Sequence, residues 1–253
     1  MTEFEWLTCN DAAAMLEVLR NRTGDRKLRL FACACARDIW SELSEDDCRR
    51  AVDVAERFAD GMASLEELLE VGTRAYDVAW CRGFGGEDPR GDYVAYATTR
   101  EFSIHAASQA IQNRLVSQRL DDIVREIFGN PFRSVKIDPT WLDYDRGRVR
   151  SLAQVIYDSK TFERAPELAN VLAAAGCVDE TLLAPLRSSQ LHFRGCWVLD
   201  AILGKTPGKD VVIEEEWCSC VQPRELFEWW QYLQGSPSPR KRRLLASACC
   251  RRI

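Results

Sequence analysis

The chain has 253 residues, of which 46% are hydrophobic and 29% are charged, and its formal net charge is -5. These values are typical of a globular protein with ample core, and they argue against disorder and against a surface built wholly for nucleic acid or anionic membrane. The sequence contains no apolar run near the roughly 20 residues that span a bilayer, and its start does not resemble a signal peptide. We therefore expect a cytoplasmic protein with no membrane partner.

The 11 cysteines of the chain stand mostly among alanines inside helical patterns. Because their number is odd and the chain is not a short, loop-rich secreted one, a reduced compartment is favoured over a disulfide framework. We expect most of them to act as small buried hydrophobic residues.

The N-terminal part predicts two helices in succession. Asn10 or Asp11 can cap the first, because either side chain can accept a hydrogen bond from an unpaired backbone amide. The second helix carries one apolar stripe at steps of three and four residues: Leu28, Phe31, Ala32, Cys35 and Ile39. This stripe predicts a core face and assigns Arg26, Lys27 and Arg37 to solvent.

Further helices are predicted up to a turn near residue 130. One starts at Ser44, and another starts with a capping box formed by Ser64 and Glu67. After a glycine-rich loop, a long helical region with one break is expected from about 93 to 128, and Gly129-Asn130-Pro131 closes it. Residues 132–137 alternate weakly and fit an extended segment.

The second half continues the helical pattern. Pro139 suits the first turn of a helix, helical spacing covers 148–159 and 166–175, and Asp179 caps a short helix. A last helix is expected over 191–200, ending near Gly204. Successive helices with short loops predict an all-α fold, either a multi-helix bundle or an irregular helical array.

The C-terminal part repeats the N-terminal helix pair. Glu216-Trp217-Cys218-Ser219-Cys220 echoes Glu5-Trp6-Leu7-Thr8-Cys9, and residues 240–253 echo residues 26–39. We predict a helical unit over 1–204 with a sub-boundary near 129–138, a linker over 205–215, and the start of a second copy of the N-terminal motif over 216–253. The natural polypeptide is then expected to continue past Ile253.

Cysteine pairs raise the question of a metal site. Cys33 and Cys35 point about 160° apart on a helix, so they cannot easily hold one ion. Another set is better placed because its first pair precedes a helix: Cys218, Cys220, Cys249 and Cys250. The chain has no Cys-x-x-Cys motif, and it has only two histidines. We therefore predict no metal and no cofactor.

His192 and Cys196 are the candidates for thiol chemistry, because a histidine can activate a neighbouring thiolate. They would meet only if the helix began before His192, whereas Gly195 predicts that a turn ends there. We therefore interpret them as packing residues, and a thiol-dependent enzyme ranks third among the functions.

The tail is strongly basic. Its charges include Arg240, Lys241, Arg242 and Arg243, which could bind nucleic acid. On a helix these charges spread around the axis, so an acidic protein surface fits as well as nucleic acid does.

Four segments carry a resemblance to a known family. They are Glu5-Trp6-Leu7-Thr8-Cys9, Asp25-Arg26-Lys27-Leu28-Arg29-Leu30-Phe31-Ala32-Cys33-Ala34-Cys35, Arg125-Glu126-Ile127-Phe128-Gly129-Asn130-Pro131-Phe132-Arg133 and Arg194-Gly195-Cys196-Trp197-Val198-Leu199-Asp200. The chain resembles an uncharacterised paralogous family of planctomycete bacteria that has no known activity. The resemblance implies a multi-copy module, and it transfers no catalytic residue.

These patterns favour a non-enzymatic helical module for protein interaction, such as an adaptor in a bacterial signalling or defence system. Its expected partners are other proteins or further copies of itself. The alternative is a nucleic-acid-binding or regulatory module that uses the basic tail.

Overall fold

The computed structural model describes residues 1–19, 23–43, 45–101, 103–112, 119–133, 135–188 and 192–205. These residues form twelve α-helices and no β-strand, which confirms the all-α prediction. The helices are α1 Glu3–Thr8, α2 Ala12–Leu19, α3 Asp25–Asp38, α4 Asp46–Ala59, α5 Leu65–Phe84, α6 Arg90–Ala97, α7 Ser103–Gln112, α8 Leu120–Phe128, α9 Pro139–Ser159, α10 Ala165–Ala174, α11 Glu180–Arg187 and α12 Trp197–Leu203. All of them belong to one compact unit, Met1–Asp210.

Helix α3 lies at the centre of the N-terminal part. It is buried on every side from Lys27 to Ala36, and it packs against α4, α6, α7 and α8. Its run of alanines and cysteines over 32–36 lets the neighbouring helices approach closely, because these side chains are small. The cysteines Cys33 and Cys35 therefore fill the core, as the sequence predicts.

The assignment of three cationic side chains of α3 to solvent is wrong. Lys27 is 5% exposed, and Arg26 and Arg37 are largely buried in ion pairs. An apolar stripe predicts one solvent face only for a helix at the surface, whereas α3 is enclosed. Its charged side chains must therefore find partners inside the protein.

A second hydrophobic core lies between α9, α10, α11 and α12. The first core draws its residues mainly from α1 to α8. The predicted sub-boundary near 129–138 falls between the two sets in sequence, and both cores belong to the same compact unit.

Several local predictions need correction. The long helical region expected over 93–128 consists of α6, α7 and α8, and residues 135–137 form no strand. The last helix starts at Trp197, because a turn precedes it. In α9, residues 144–147 leave the helical conformation. Ser44 lies outside the described residues.

The predicted helix caps are present. Asp11 accepts hydrogen bonds from the amides of Ala13 and Ala14, and Ser64 and Asp179 cap their helices in the same way. Asp138, which was not predicted as a cap, caps α9. Within the described residues, no helix combines the length and the apolar character that crossing a bilayer requires.

Candidate functional site

A buried charge network joins the two cores. The guanidinium of Arg26 at the start of α3 donates to both carboxylate oxygens of Asp200 in α12, at 2.7 and 3.0 Å. Its Nε donates to Asp60 at the end of α4, at 2.9 Å. Two parallel hydrogen bonds between a guanidinium and a carboxylate fix the angle between the groups as well as their distance.

Tyr157 of α9 completes this network. Its hydroxyl donates to Asp60 at 2.7 Å and accepts from Arg26 at 2.7 Å. Arg194 donates to the same aspartate at 2.8 Å, and its guanidinium lies 4.7 Å from the centre of the Tyr157 ring. The ammonium of Lys205 lies 4.5 Å from that centre. Four side chains, Arg26, Tyr157, Arg194 and Lys205, thus surround Asp60.

The ionisation of Asp60 reflects these neighbours. Burial alone would raise the pKa of Asp60, but the hydrogen bond from Tyr157 and the charges of Arg26 and Arg194 outweigh it and hold this pKa below its ordinary value. Burial raises the pKa of Tyr157, so its hydroxyl stays protonated as a donor. The network therefore consists of charges held in fixed pairs.

Lys27 extends the network to the backbone. Its ammonium lies 2.6 Å from Asp200 and donates to the carbonyls of Ile127 and Gly195, each at 2.7 Å. Burial lowers the pKa of Lys27, and the charge of Asp200 opposes that effect. This side chain holds the end of α8 against the turn before α12.

A second ionic cluster lies between α3, α4 and the end of α9. Arg37 donates to Glu56 at 2.8 and 2.9 Å and also pairs with Asp53. Lys160 lies 2.6 Å from Asp53 and 2.7 Å from Glu56. This cluster fixes α9 on α4, and its charged groups are paired with one another.

The sequence-predicted thiol candidates do meet, and they meet a third residue. One oxygen, nitrogen or sulfur atom from each of Glu126, His192 and Cys196 lies within 4.8 Å of the others. The Nδ1 atom of His192 lies 2.9 Å from a carboxylate oxygen of Glu126. The sequence made the meeting of His192 and Cys196 conditional on a helix that begins before His192. The helix begins at Trp197 and the two side chains still converge, so that condition is wrong.

The reason is a reverse turn before α12. The amide of Cys196 donates to the carbonyl of Phe193 at 3.0 Å, and Gly195 has a φ of 92°. A positive φ at the third residue of a turn favours glycine. A Cβ atom at Gly195 would lie 2.8 Å from Leu30, so the turn also needs the missing side chain.

The arrangement does not make Cys196 a nucleophile. Burial and the carboxylate of Glu126 raise the pKa of its thiol well above the ordinary value. The histidine faces the carboxylate, and the thiol is fully buried. A thiolate enzyme needs the reverse, a lowered thiol pKa and access for a substrate.

A cleft of about 800 Å³ opens beside the charge network. Its apolar lining includes Trp6, Phe128 and Trp197, and its basic lining includes Arg125 and Arg133. Both arginines already have partners, since Arg125 pairs with Asp121 and Arg133 with Glu3. The volume lies within the range of ligand pockets.

A row of apolar side chains lies exposed along α5. We call it the α5 aromatic face: Leu65, Leu69, Tyr76, Trp80 and Phe84. Steps of four, seven, four and four residues place them on one side of the helix. Phe84 is 90% exposed and Trp80 is 57% exposed. The rings of Tyr76 and Trp80 stack with centroids 6.3 Å apart, which fixes their positions.

The remaining predicted site residues lie outside the described residues. They are Cys218, Cys220, Cys249, Cys250, Arg240, Lys241, Arg242 and Arg243. Their roles stay predictions.

Sequence reasoning missed Asp60, Tyr157, Glu126 and Asp200 as partners. Glu126 and Asp200 stand in two of the segments that carry the family resemblance, and Arg26 and Lys27 stand in a third. The fact that these four residues stand in the resembling segments was the signal in the sequence that could have pointed to this site. Comparisons with protein-family models, with curated proteins and with solved structures found no match for this chain.

Proposed function

We propose that the chain is a non-enzymatic helical module that binds other proteins or further copies of itself. The observation that carries this proposal is the α5 aromatic face, on which five large apolar side chains, including Trp80 and Phe84, are exposed along one side of one helix. Contiguous exposed apolar surface of this kind marks protein contact sites, and tryptophan and other large aromatic residues supply much of the binding energy there.

The order within this face supports the proposal. Tyr76 packs against Tyr96 of α6 at 5.2 Å between ring centroids and against Trp80 at 6.3 Å. A partner therefore meets side chains that are already held in position, and it loses less entropy on binding than it would against mobile ones. The opposite side of α5 is buried through Leu68 and Val71, so the helix is firmly anchored.

The chemistry of the buried clusters supports a role without catalysis. The charged groups around Asp60 are paired with one another. The thiol of Cys196 is buried, and its raised pKa keeps it protonated. The resemblance to a multi-copy bacterial family favours an adaptor in a signalling or defence system, since modules of that kind often serve recognition.

The experiment compares two matched substitutions in the full chain. Phe84→Ser removes an aromatic ring from the α5 aromatic face, and Phe4→Ser removes the same ring from α1, where it is 75% exposed. Sedimentation velocity over a concentration series measures self-association. Capture from a lysate of the source cells, followed by calorimetric titration with the purified captured protein, measures binding to a partner.

We expect Phe84→Ser to weaken association at least tenfold, which corresponds to about 1.4 kcal/mol, and Phe4→Ser to leave it within about twofold. Equal effects of the two substitutions, or no association in either assay, would refute the proposal. A turnover that disappears in Cys196→Ala would also refute it.

A further inference from the structure

Three buried side chains from distant parts of the chain converge beside the charge network. Glu126 comes from α8, His192 from the segment before the reverse turn, and Cys196 from the N-cap of α12. Their side chains are 9%, 4% and 0% exposed, respectively. A carboxylate oxygen, an imidazole nitrogen and a thiolate sulfur are the ligand types that proteins offer to zinc.

One atom of this cluster has no role within the described residues. The Nδ1 atom of His192 faces Glu126, whereas its buried Nε2 atom has no hydrogen-bond partner there. A neutral ring leaves a lone pair unused, and a protonated ring leaves an N–H group without an acceptor. Either state carries the cost of a buried unsatisfied polar atom, and a metal bound at Nδ1 does not remove that cost.

The charge of the cluster is also unusual. Among the described residues, the ion-pair partner of Glu126 is His192, whereas Asp60 and Asp200 each pair with an arginine. The ammonium of Lys27 interacts with the thiol of Cys196 but is paired with Asp200, so among the described residues Glu126 itself has no permanent positive charge paired with it. A divalent cation would supply one.

We propose that Glu126, His192 and Cys196 bind a single Zn²⁺ ion. On binding, the thiol of Cys196 releases its proton to solvent and the sulfur coordinates the metal as a thiolate. The two negative ligands then balance the two positive charges of the ion, and Nδ1 of His192, the nitrogen that faces Glu126, contributes a lone pair. Three ligands leave one coordination position for water or another donor.

The distances allow this geometry. Ligand atoms around a tetrahedral zinc ion lie roughly 3 to 4 Å apart, because each bond is about 2.0 to 2.3 Å long. The three donor atoms lie within 4.8 Å of one another, so side-chain shifts of about 1 Å close the site. The ion would join α8 to the start of α12, where Lys27 already bridges the backbone carbonyls of Ile127 and Gly195.

The primary measurement uses the full chain, expressed with added zinc and purified without chelators. Elemental analysis gives the number of zinc ions per chain. Zinc-edge X-ray absorption of the wild-type protein then counts the sulfur ligands. We expect one ion with one sulfur and two or three nitrogen or oxygen ligands, a result that does not depend on the folding of any variant.

Three variants assign the site. Cys196→Ser removes the proposed sulfur ligand, and Cys177→Ser removes another thiol that is 2% exposed in the same core. The combined variant Cys218→Ser, Cys220→Ser, Cys249→Ser, Cys250→Ser removes the tail cysteines. In the cobalt-substituted protein, the sulfur-to-metal charge-transfer band should disappear in Cys196→Ser and persist in the other two.

Several outcomes would overturn the proposal. They are a wild-type chain without zinc, a zinc site with two or more sulfur ligands, and a charge-transfer band that survives Cys196→Ser or is lost with the tail cysteines. Far-ultraviolet circular dichroism establishes that each variant is folded before its metal content is read. If Cys196→Ser does not fold, Glu126→Gln tests the same site, with an expected loss of at least tenfold in zinc affinity.

Discussion

Arg26 and Asp200 form a bidentate ion pair, although they are 174 positions apart in the sequence. Arg26 lies in the first turn of α3, at the centre of the first core, and Asp200 lies in α12, which packs in the second core. Since Asp60 and Tyr157 join the same pair, the cores share one set of buried charges. The loss of Asp200 removes the carboxylate partner of Lys27 and one of the two carboxylates that pair with Arg26.

Asp200→Ala should therefore destabilise the protein strongly. We expect the free energy of unfolding to fall by about 3 to 5 kcal/mol, because Lys27 would lose its carboxylate partner and Arg26 would lose the bidentate one of its two carboxylates inside the protein. Urea denaturation followed by circular dichroism measures the change. Asp143→Ala, at an exposed position of α9, is the control and should stay within about 0.5 kcal/mol of wild type. A loss below about 1 kcal/mol in Asp200→Ala would mean that the network contributes little.

The stability of the protein should decrease in acid partly through Asp60. Its folded pKa lies below the ordinary value of 3.8, so the unfolded state binds the proton more readily. The contribution is complete above the unfolded pKa and is lost as the pH falls through the folded pKa. Denaturation midpoints between about pH 6 and pH 2 should therefore vary less in Asp60→Asn than in wild type. Parallel curves for the two proteins would contradict this assignment.

Gly129 should not accept a side chain. It has a φ of 68°, and a Cβ atom there would lie 2.9 Å from the ring of Trp197. Gly61 has a similar φ of 73° with open space around it, so it is the matched control. We expect Gly129→Ala to cost at least about 2 kcal/mol and Gly61→Ala about 1 kcal/mol in urea denaturation. Equal costs would show that the contact with Trp197 does not matter.

The thiols should differ sharply in reactivity. Cys81 is exposed on α5, whereas Cys33, Cys35 and Cys48 are buried, and burial raises the pKa of Cys33. Brief alkylation of the native protein, followed by peptide mass spectrometry, should modify Cys81 and spare the other three. Urea should make all four react. Labelling of Cys33 as fast as Cys81 in the native protein would contradict the interpretation that these cysteines fill the core.

The sequence predicted the fold better than the site, for a physical reason. Helix caps and apolar spacing are local, so Asp11, Ser64 and Asp179 identified helix starts correctly. The partners of Arg26 are distant in sequence, and a helical pattern does not reveal them. The meeting of His192 and Cys196 depends on a turn at Gly195.

The tail and the repeat stay predictions, because residues 206–253 lie outside the described residues.

The wrong assignment of the cationic side chains of α3 to solvent has a general cause. Amphipathic patterns separate polar from apolar positions, and they predict burial correctly only when polar side chains do not pair inside the protein. Lys27, with three buried acceptors, is the case in which they do.

Tyr157 stands in α9, yet its hydroxyl completes a shell around Asp60 at the end of α4. A fragment that stopped before α9 would keep the pair of Asp60 with Arg26 but would lose Tyr157, Arg194 and Asp200 from the network. The ionic partners of the N-terminal core are thus encoded in part by the C-terminal half of the described residues.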